Sequence, residues 1–265
     1  VSAGPDERLD GAVLVTGGAR GIGRAAALGC ARGGASVAVL DLDGELAGQV
    51  AEQAIGRGAP ASVGFACDVR DERSVAEAVD AAADRLGPVR GVVSNAGVDR
   101  GGLVHELGLD AWRDVIDTNL TGAFLVCRRA LRHMLEHGRG GSIVCVSSPW
   151  AVVSAPGGVT PYSSSKGGLS SFVRSVALDY AGHGIRVNAV LPGPMDTALM
   201  WANVPEDEVP AMRELIGGQV ALGRLGEPDE AAAAITWLLS ERSSYVTGSQ
   251  LVVDGGVLAK ASIAV

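Results

Sequence analysis

At 265 residues the chain has the length of one α/β domain. Hydrophobic residues make up 47%, enough for a sizeable core, and aromatics only 4%, so Ala, Val, Leu and Ile must fill it. The net charge of -8 argues against nucleic acid as a partner, because phosphate recognition needs a basic patch and none is seen.

A short apolar run followed by a longer Ala-rich amphipathic stretch recurs along the chain. Residues 12–16, 36–41, 62–66, 90–94, 142–147 and 185–191 read as buried strands. Helical stretches begin near Gly21, Gly44, Asp71, Asp110, Pro161 and Pro228. This alternation predicts a parallel sheet with helices on both faces, in a single domain over 1–265, with a last short strand, 251–253, at its edge. Segment 197–222 breaks the rhythm with Pro205 and Pro210 beside apolar Leu199, Met200 and Trp201. It is expected to be a substrate loop or lid; a surface insertion that merely packs is the alternative.

No apolar run approaches the roughly 20 residues that span a bilayer. Residues 1–10 are polar and acidic, unlike a signal peptide, and the apolar tail 257–265 is expected to pack or touch another subunit. Cys30, Cys67, Cys127 and Cys145 lie far apart in apolar stretches, which predicts buried, reduced thiols in a cytoplasmic protein.

The stretch Thr16-Gly17-Gly18-Ala19-Arg20-Gly21-Ile22-Gly23 follows the first strand and opens the first helix. Gly17 allows a sharp turn, and Gly21 and Gly23 let backbone and helix approach a pyrophosphate, which the helix N-terminus attracts. Asp41 ends the second strand about 20 residues on, where a carboxylate binds both ribose hydroxyls and repels a 2′-phosphate. NAD is therefore expected rather than NADP, with Arg20 as a basic residue that partly offsets that repulsion.

With the motifs that follow, these residues resemble the short-chain dehydrogenase/reductase family, over about residues 11–256. The resemblance implies a Rossmann-type, doubly wound sheet of seven parallel strands, often in tetramers or dimers. It gives the adenine to Asp68-Val69, and the support of the sheet beside the cofactor to Asn95-Ala96-Gly97. Ile22 and Leu42 join the cofactor contacts, and Pro192-Gly193-Pro194-Met195-Asp196-Thr197 holds the nicotinamide carboxamide and phosphate. The catalytic set it implies is Asn119, Ser148, Tyr162 and Lys166, with Thr247-Gly248 and Val253-Asp254-Gly255-Gly256 as the closing signature. The stretch from Ser148 to Tyr162 is one residue longer than the family pattern. Ser148 as the active serine assumes that the extra residue bulges in the loop; Ser147 is the alternative, pointing to the opposite side.

The chemistry of this set is hydride transfer at a carbonyl. Tyr162 gives a proton to the alkoxide, or takes one from the alcohol in reverse. A tyrosine ionises near ~10, and work near neutrality asks for a fall of ~2–3 units, about 3–4 kcal/mol. One positive charge about 4 Å away at an effective dielectric near 20 supplies that much. Lys166, four residues on, shares a helix face with Tyr162 and is expected to lower it, and the resemblance also gives Lys166 the nicotinamide ribose hydroxyls. Ser148 would hydrogen-bond the substrate oxygen, and Asn119 would hold a water that relays protons through Lys166.

His133-Met134-Leu135-Glu136-His137 matches a zinc-peptidase spacing, but it ends an apolar helix just before Gly138 and has no supporting constellation, so no metal is expected. His105 and His183 are isolated, and no G-x-S-x-G elbow is present. The expected function is therefore an NAD-dependent alcohol dehydrogenase or ketone reductase acting on a small, apolar or alicyclic molecule, with Trp150, Val152, Met200 and Trp201 toward the substrate. An NADPH-dependent, carrier-linked 3-oxoacyl reductase and a non-catalytic dinucleotide sensor are the alternatives.

Overall fold

Val-rich runs that are buried along their whole length cannot leave one sheet face in water, and they assemble into the centre of a layered α/β fold. The computed structural model describes residues 8–202 and 204–260, so most of the tail 257–265 and of segment 1–10 lies outside the described residues. Its strands are β1 (Ala12–Thr16), β2 (Ser36–Asp41), β3 (Ser62–Ala66), β4 (Val89–Ser94), β5 (Gly141–Val146), β6 (Ile185–Pro192) and β7 (Gln250–Val253). All pair in parallel, in the order β3-β2-β1-β4-β5-β6-β7. Compared with the sequence expectation, β4 and β5 each start one residue earlier, and β5 stops before Ser147.

The helices are α1 (Gly21–Arg32), α2 (Gly44–Ile55), α3 (Glu72–Leu86), α4 (Leu109–Ile116), α5 (Gly122–His137), α6 (Thr160–Tyr180), α7 (Ala198–Trp201), α8 (Val209–Gln219) and α9 (Pro228–Leu239). Their starts follow from local chemistry. The Asp43 carboxylate accepts from the Leu46 N–H, and that of Asp71 from the N–H groups of Arg73 and Ser74. Gly138 ends α5 in the left-handed region, its N–H on the Met134 carbonyl.

Side chains alternate across the sheet. Leu14, Leu40, Val92, Ile143 and Leu191 face one core with Val79, Val126, Met134 and Leu169 from α3, α5 and α6. Val13, Val15, Val39, Val144 and Val190 face the other, with Ala26, Val50, Ile235 and Leu238 from α1, α2 and α9. From β1 the chain winds outward through β2 and β3, then returns to place β4 on the other side of β1. That reversal opens a crevice at the carboxyl ends of β1 and β4, where doubly wound sheets bind ligands.

Three features lay beyond the sequence pattern. The helix expected from Asp110 is broken by one π turn at Asp117–Thr121. Segment 197–222 contains two helices, α7 and α8. His133 shares Asp80 with Arg129, and His137 Nε2 sits 2.9 Å from the Val89 carbonyl, so both histidines tie α5 to its neighbours. All four cysteines are free and buried, and burial pushes the Cys30 thiol up to about 12 and Cys67 to about 11. Among the described residues no helix is long and apolar enough to cross a membrane.

Candidate active site

The glycine turn is held shut by its own polar groups. Gly17 has a φ of +58°, and a Cβ on Gly23 would meet the Gly17 carbonyl oxygen at 2.0 Å. Only glycine at both positions lets α1 start this close to β1. The Thr16 hydroxyl accepts from the N–H groups of Asn95 and Ala96, while the Asn95 amide donates to the carbonyls of Thr16 and Gly17 at 3.1 and 3.0 Å. Asn95 thus locks the turn to the end of β4. No side chain caps the first turn of α1 and no acidic residue lies in it, which leaves its N–H groups and partial positive charge to an anion.

A cleft of about 500 Å3 opens above this turn, lined by Gly17, Arg20, Gly21, Ile22, Asp41, Leu42, Asp68, Val69, Asn95, Ala96, Gly97 and Thr197. Asp41 is fixed at its rim by the N–H groups of Ala19 and Asp43, at 3.0 and 3.2 Å. Arg20, also in the lining, pairs with Asp43 at 2.9 Å. Arg70 grips Asp68 through two nitrogens and holds its carboxyl below the usual range. Gly23 lies under the turn and does not line the cleft. The glycine cradle, the open helix end and the fixed carboxylate together fit a dinucleotide.

The cleft shares Ile22, Asn95, Gly97, Thr197 and Leu199 with a second cavity of about 610 Å3, and there the remaining residues other than the buried Asn119 gather. Ser148, Tyr162, Lys166, Pro192, Gly193 and Met195 line it. Ser148 continues the extended backbone of β5, its hydroxyl accepting from the Trp150 N–H at 3.3 Å on the side of the cavity where Tyr162 stands. Ser147 turns the other way, its hydroxyl on the Lys166 carbonyl and the Ser170 hydroxyl. The length of this segment is taken up beyond Ser148, in a turn at Pro149–Ala151 and a loop where Gly157 and Gly158 have φ of +107° and +86°.

Tyr162 and Lys166 stand one turn apart on α6, with Nζ 5.5 Å from the ring centre. Nζ donates to the Val146 carbonyl at 2.8 Å and is 4% exposed as a residue, and burial lowers Lys166 to about 8. Tyr162 is raised to about 12, first by burial and further by the charge of Asp99, against the lowering by the Ser148 hydroxyl. Burial thus works against the lowering expected from Lys166, because the phenolate loses solvation there.

Asn119 sits in the π turn, a break common at functional positions. Its Oδ1 accepts from the Val98 N–H at 2.8 Å, and its amide donates to the Val98 carbonyl and the Ser165 hydroxyl. Both amide hydrogens are therefore taken, and a water on this side chain has only the remaining lone pair of Oδ1 to bind. A Cβ on Gly97 would come within 3.3 Å of that oxygen, a tight contact, and 3.7 Å of Lys166 Nζ, so Gly97 lies beside both groups.

Trp150 and Met200 line the cavity; Val152 and Trp201 do not. The Trp201 indole N–H donates to Asp196 at 2.8 Å under the Arg213 guanidinium, and Val152 is mostly exposed. An indole with a carboxylate in reach satisfies its N–H there rather than facing an apolar cavity. Sequence reasoning missed Ile216, Gln219 and Val220, on and just beyond α8, and Asp99, all of which line this cavity. Asp99 carried one signal, an acid two residues beyond the Asn95-Ala96-Gly97 turn.

A family model described as enoyl-(acyl carrier protein) reductase matches residues 17–258. The chain is 42% identical to cis-4-hydroxycyclohexanecarboxylate dehydrogenase of Sinomonas cyclohexanicum, over 93% of this chain and 96% of that protein. It is 40% identical to D-threitol dehydrogenase of Mycolicibacterium smegmatis, over 96% of each. The crystal structure of a short-chain type dehydrogenase/reductase from Mycobacterium marinum superposes with a TM-score of 0.89 at 32% identity, covering 96% of this chain and 98% of that one. With a seven-stranded parallel sheet and a dinucleotide cleft at its switch point, matched along nearly its whole length, the chain belongs to the short-chain dehydrogenase/reductase family.

Proposed function

We propose that the protein is an NAD-dependent dehydrogenase or ketone reductase that acts on an apolar or alicyclic secondary alcohol or ketone, with Tyr162 as general acid/base. One arrangement carries the reading: the cleft that starts at Asp41 runs into the cavity where Ser148, Tyr162 and Lys166 meet. When bound, NAD supplies the hydride acceptor and a positive charge beside the reacting carbon.

The residues of the chain do the rest. Asp41, its carboxylate oriented by two backbone N–H groups, accepts from the ribose hydroxyls and disfavours a 2′-phosphate. The glycine turn and α1 hold the pyrophosphate. Lys166 holds the nicotinamide ribose, and the stretch from Pro192 to Thr197 holds the carboxamide. Ser148 hydrogen-bonds the substrate oxygen, and Tyr162 exchanges the proton with it. Tyr162 keeps its proton at neutral pH and can give it to the alkoxide, whereas oxidation needs the phenolate and speeds up as pH rises. Trp150, Met200, Ile216 and Val220 give the substrate an apolar wall. The relatives that oxidise a cyclohexane alcohol and a tetritol support an alcohol substrate. The same reading makes the enzyme a homo-oligomer, with exposed Leu109, Phe124 and Leu178 as apolar contact surface.

The test is turnover and cofactor binding with NAD and NADP separately, over cyclic, aliphatic and hydroxyacyl alcohols. NADH formation from a cyclic or aliphatic alcohol is expected. NADP preference with hydroxyacyl turnover would instead make it a carrier-linked reductase, and cofactor binding without any turnover a sensor.

A further inference from the structure

The catalytic cavity holds an acid that the chemistry above does not use. Asp99 lines it together with Ser148, Trp150, Tyr162 and Lys166. The residue is part-exposed, while one oxygen of its carboxylate, Oδ1, has almost no accessible surface and no hydrogen-bond partner in the protein, so a turn of the carboxylate is needed to present it to the cavity. The neighbouring Arg100 leaves the carboxylate largely to itself. Its Nε pairs with Asp114 at 3.1 Å, its Nη1 donates to the Asp99 backbone carbonyl, and its backbone N–H is what reaches the Asp99 side chain.

An acceptor buried without a donor costs free energy, and the cost is recovered only when a donor arrives. Most of the remaining wall is hydrocarbon or sulfur, from Trp150, Met195, Leu199, Met200, Ile216 and Val220. That wall suits a carbon frame; besides the catalytic set, Ser147, Gln219, Thr197 and Asn95 are the other polar side chains among its described lining, and Asp99 is the one carboxylate there. We propose that Asp99 is a specificity-determining residue that accepts a hydrogen bond from a second hydroxyl of the substrate, so that diols are preferred over the matching simple alcohols. The inference rests on the alcohol dehydrogenase reading above. An ammonium in place of that hydroxyl is disfavoured, because it would enter a cavity that already holds Lys166 and, with oxidised cofactor, a second positive charge. A neutral donor meets no such repulsion. Burial raises the carboxyl of Asp99, against the backbone N–H and the charge of Arg100.

The test compares wild type, Asp99→Asn and Asp99→Ala with NAD, on cyclohexanol against its positional diols and on isopropanol against propylene glycol and glycerol. kcat and KM are separated, pH profiles recorded and folding checked by thermal melting. Wild type should favour at least one diol over its simple alcohol by about 10- to 100-fold in kcat/KM, the size of a charge-assisted hydrogen bond. Both variants should collapse that ratio, mainly through KM. If they do not fold, Asp99→Glu, which keeps the charge and moves it by one methylene, should change which diol is preferred; an unchanged ranking would overturn the proposal. Wild type that shows no diol preference overturns it too. So do variants that shift both pH profiles alike and leave the ratio intact, because Asp99 then acts through Tyr162 alone. If NADH binds by fluorescence and no alcohol or diol turns over, the dehydrogenase reading itself fails and takes this inference with it.

Discussion

The two ends of the cleft are built on opposite terms. Above β1 and β2 the polar side chains are already paired: Asn95 with the glycine turn, Asp41 with two N–H groups, and Arg20 with Asp43. Above β4 to β6 the pairing is less complete. Burial raises Tyr162 and lowers Lys166, and one carboxylate oxygen of Asp99, Oδ1, has no partner in the protein. A binding end can be finished in advance, because its ligand meets backbone N–H groups and one fixed acid. A reacting end must keep proton-bearing groups underpaired until substrate and cofactor complete them.

Substitutions at the two ends should therefore fail differently. At the reacting end, Ser148→Ala should lower kcat by about 10²–10³-fold with NADH affinity kept, as for loss of one donor to a developing oxyanion. Ser147→Ala should change kcat far less, which steady-state kinetics of the two variants decides. At the binding end, Gly23→Ala drives a methyl into the Gly17 carbonyl. It should destabilise the fold by about 1–3 kcal/mol in denaturant titration and weaken NADH binding in fluorescence titration. Asp41→Asn removes the charge but not the bulk, and should shift the NAD-to-NADP ratio of kcat/KM by about tenfold toward NADP. That outcome would be absent if Asp41 were only a strand-end charge.

The smallest effect is on stability against pH. Lys166 titrates near 8 in the folded chain and at its ordinary 10.5 once unfolded, so between those values the unfolded chain holds the extra proton. Stability from this group accordingly rises with pH across that window, by ~1–2 kcal/mol between pH 8 and 10. Tyr162 acts in the opposite sense above pH 10, where the folded chain keeps the proton that the unfolded chain loses. Urea unfolding of Lys166→Met should lack the rising part.

The sheet could be read from the chain because strands buried on both faces leave continuous Val-rich runs, and because Asp43 and Asp71 sit at helix starts. The cofactor end was legible for a related reason: its parts are close in sequence, with Gly17 and Gly21 acting through backbone and Asp41 placed by the end of its strand. The reacting end was legible as a list but not as a state. The sign of the Tyr162 shift depends on how much water the fold removes, which the spacing to Lys166 does not carry. The orientation of Trp201 depended on a carboxylate and a guanidinium, Asp196 and Arg213, that only the folded segment brings together. The short helices α7 and α8 were hidden among prolines, and the π turn around Asn119 leaves no mark in the apolar periodicity.

The most direct test of the account is single-turnover hydride transfer by wild type and Tyr162→Phe, with NADH affinity measured on the same samples. The account predicts a fall of about 10²–10⁴-fold in the rate, with loss of the alkaline rise and unchanged cofactor affinity. A Tyr162→Phe protein that still transfers hydride near the wild-type rate would contradict it.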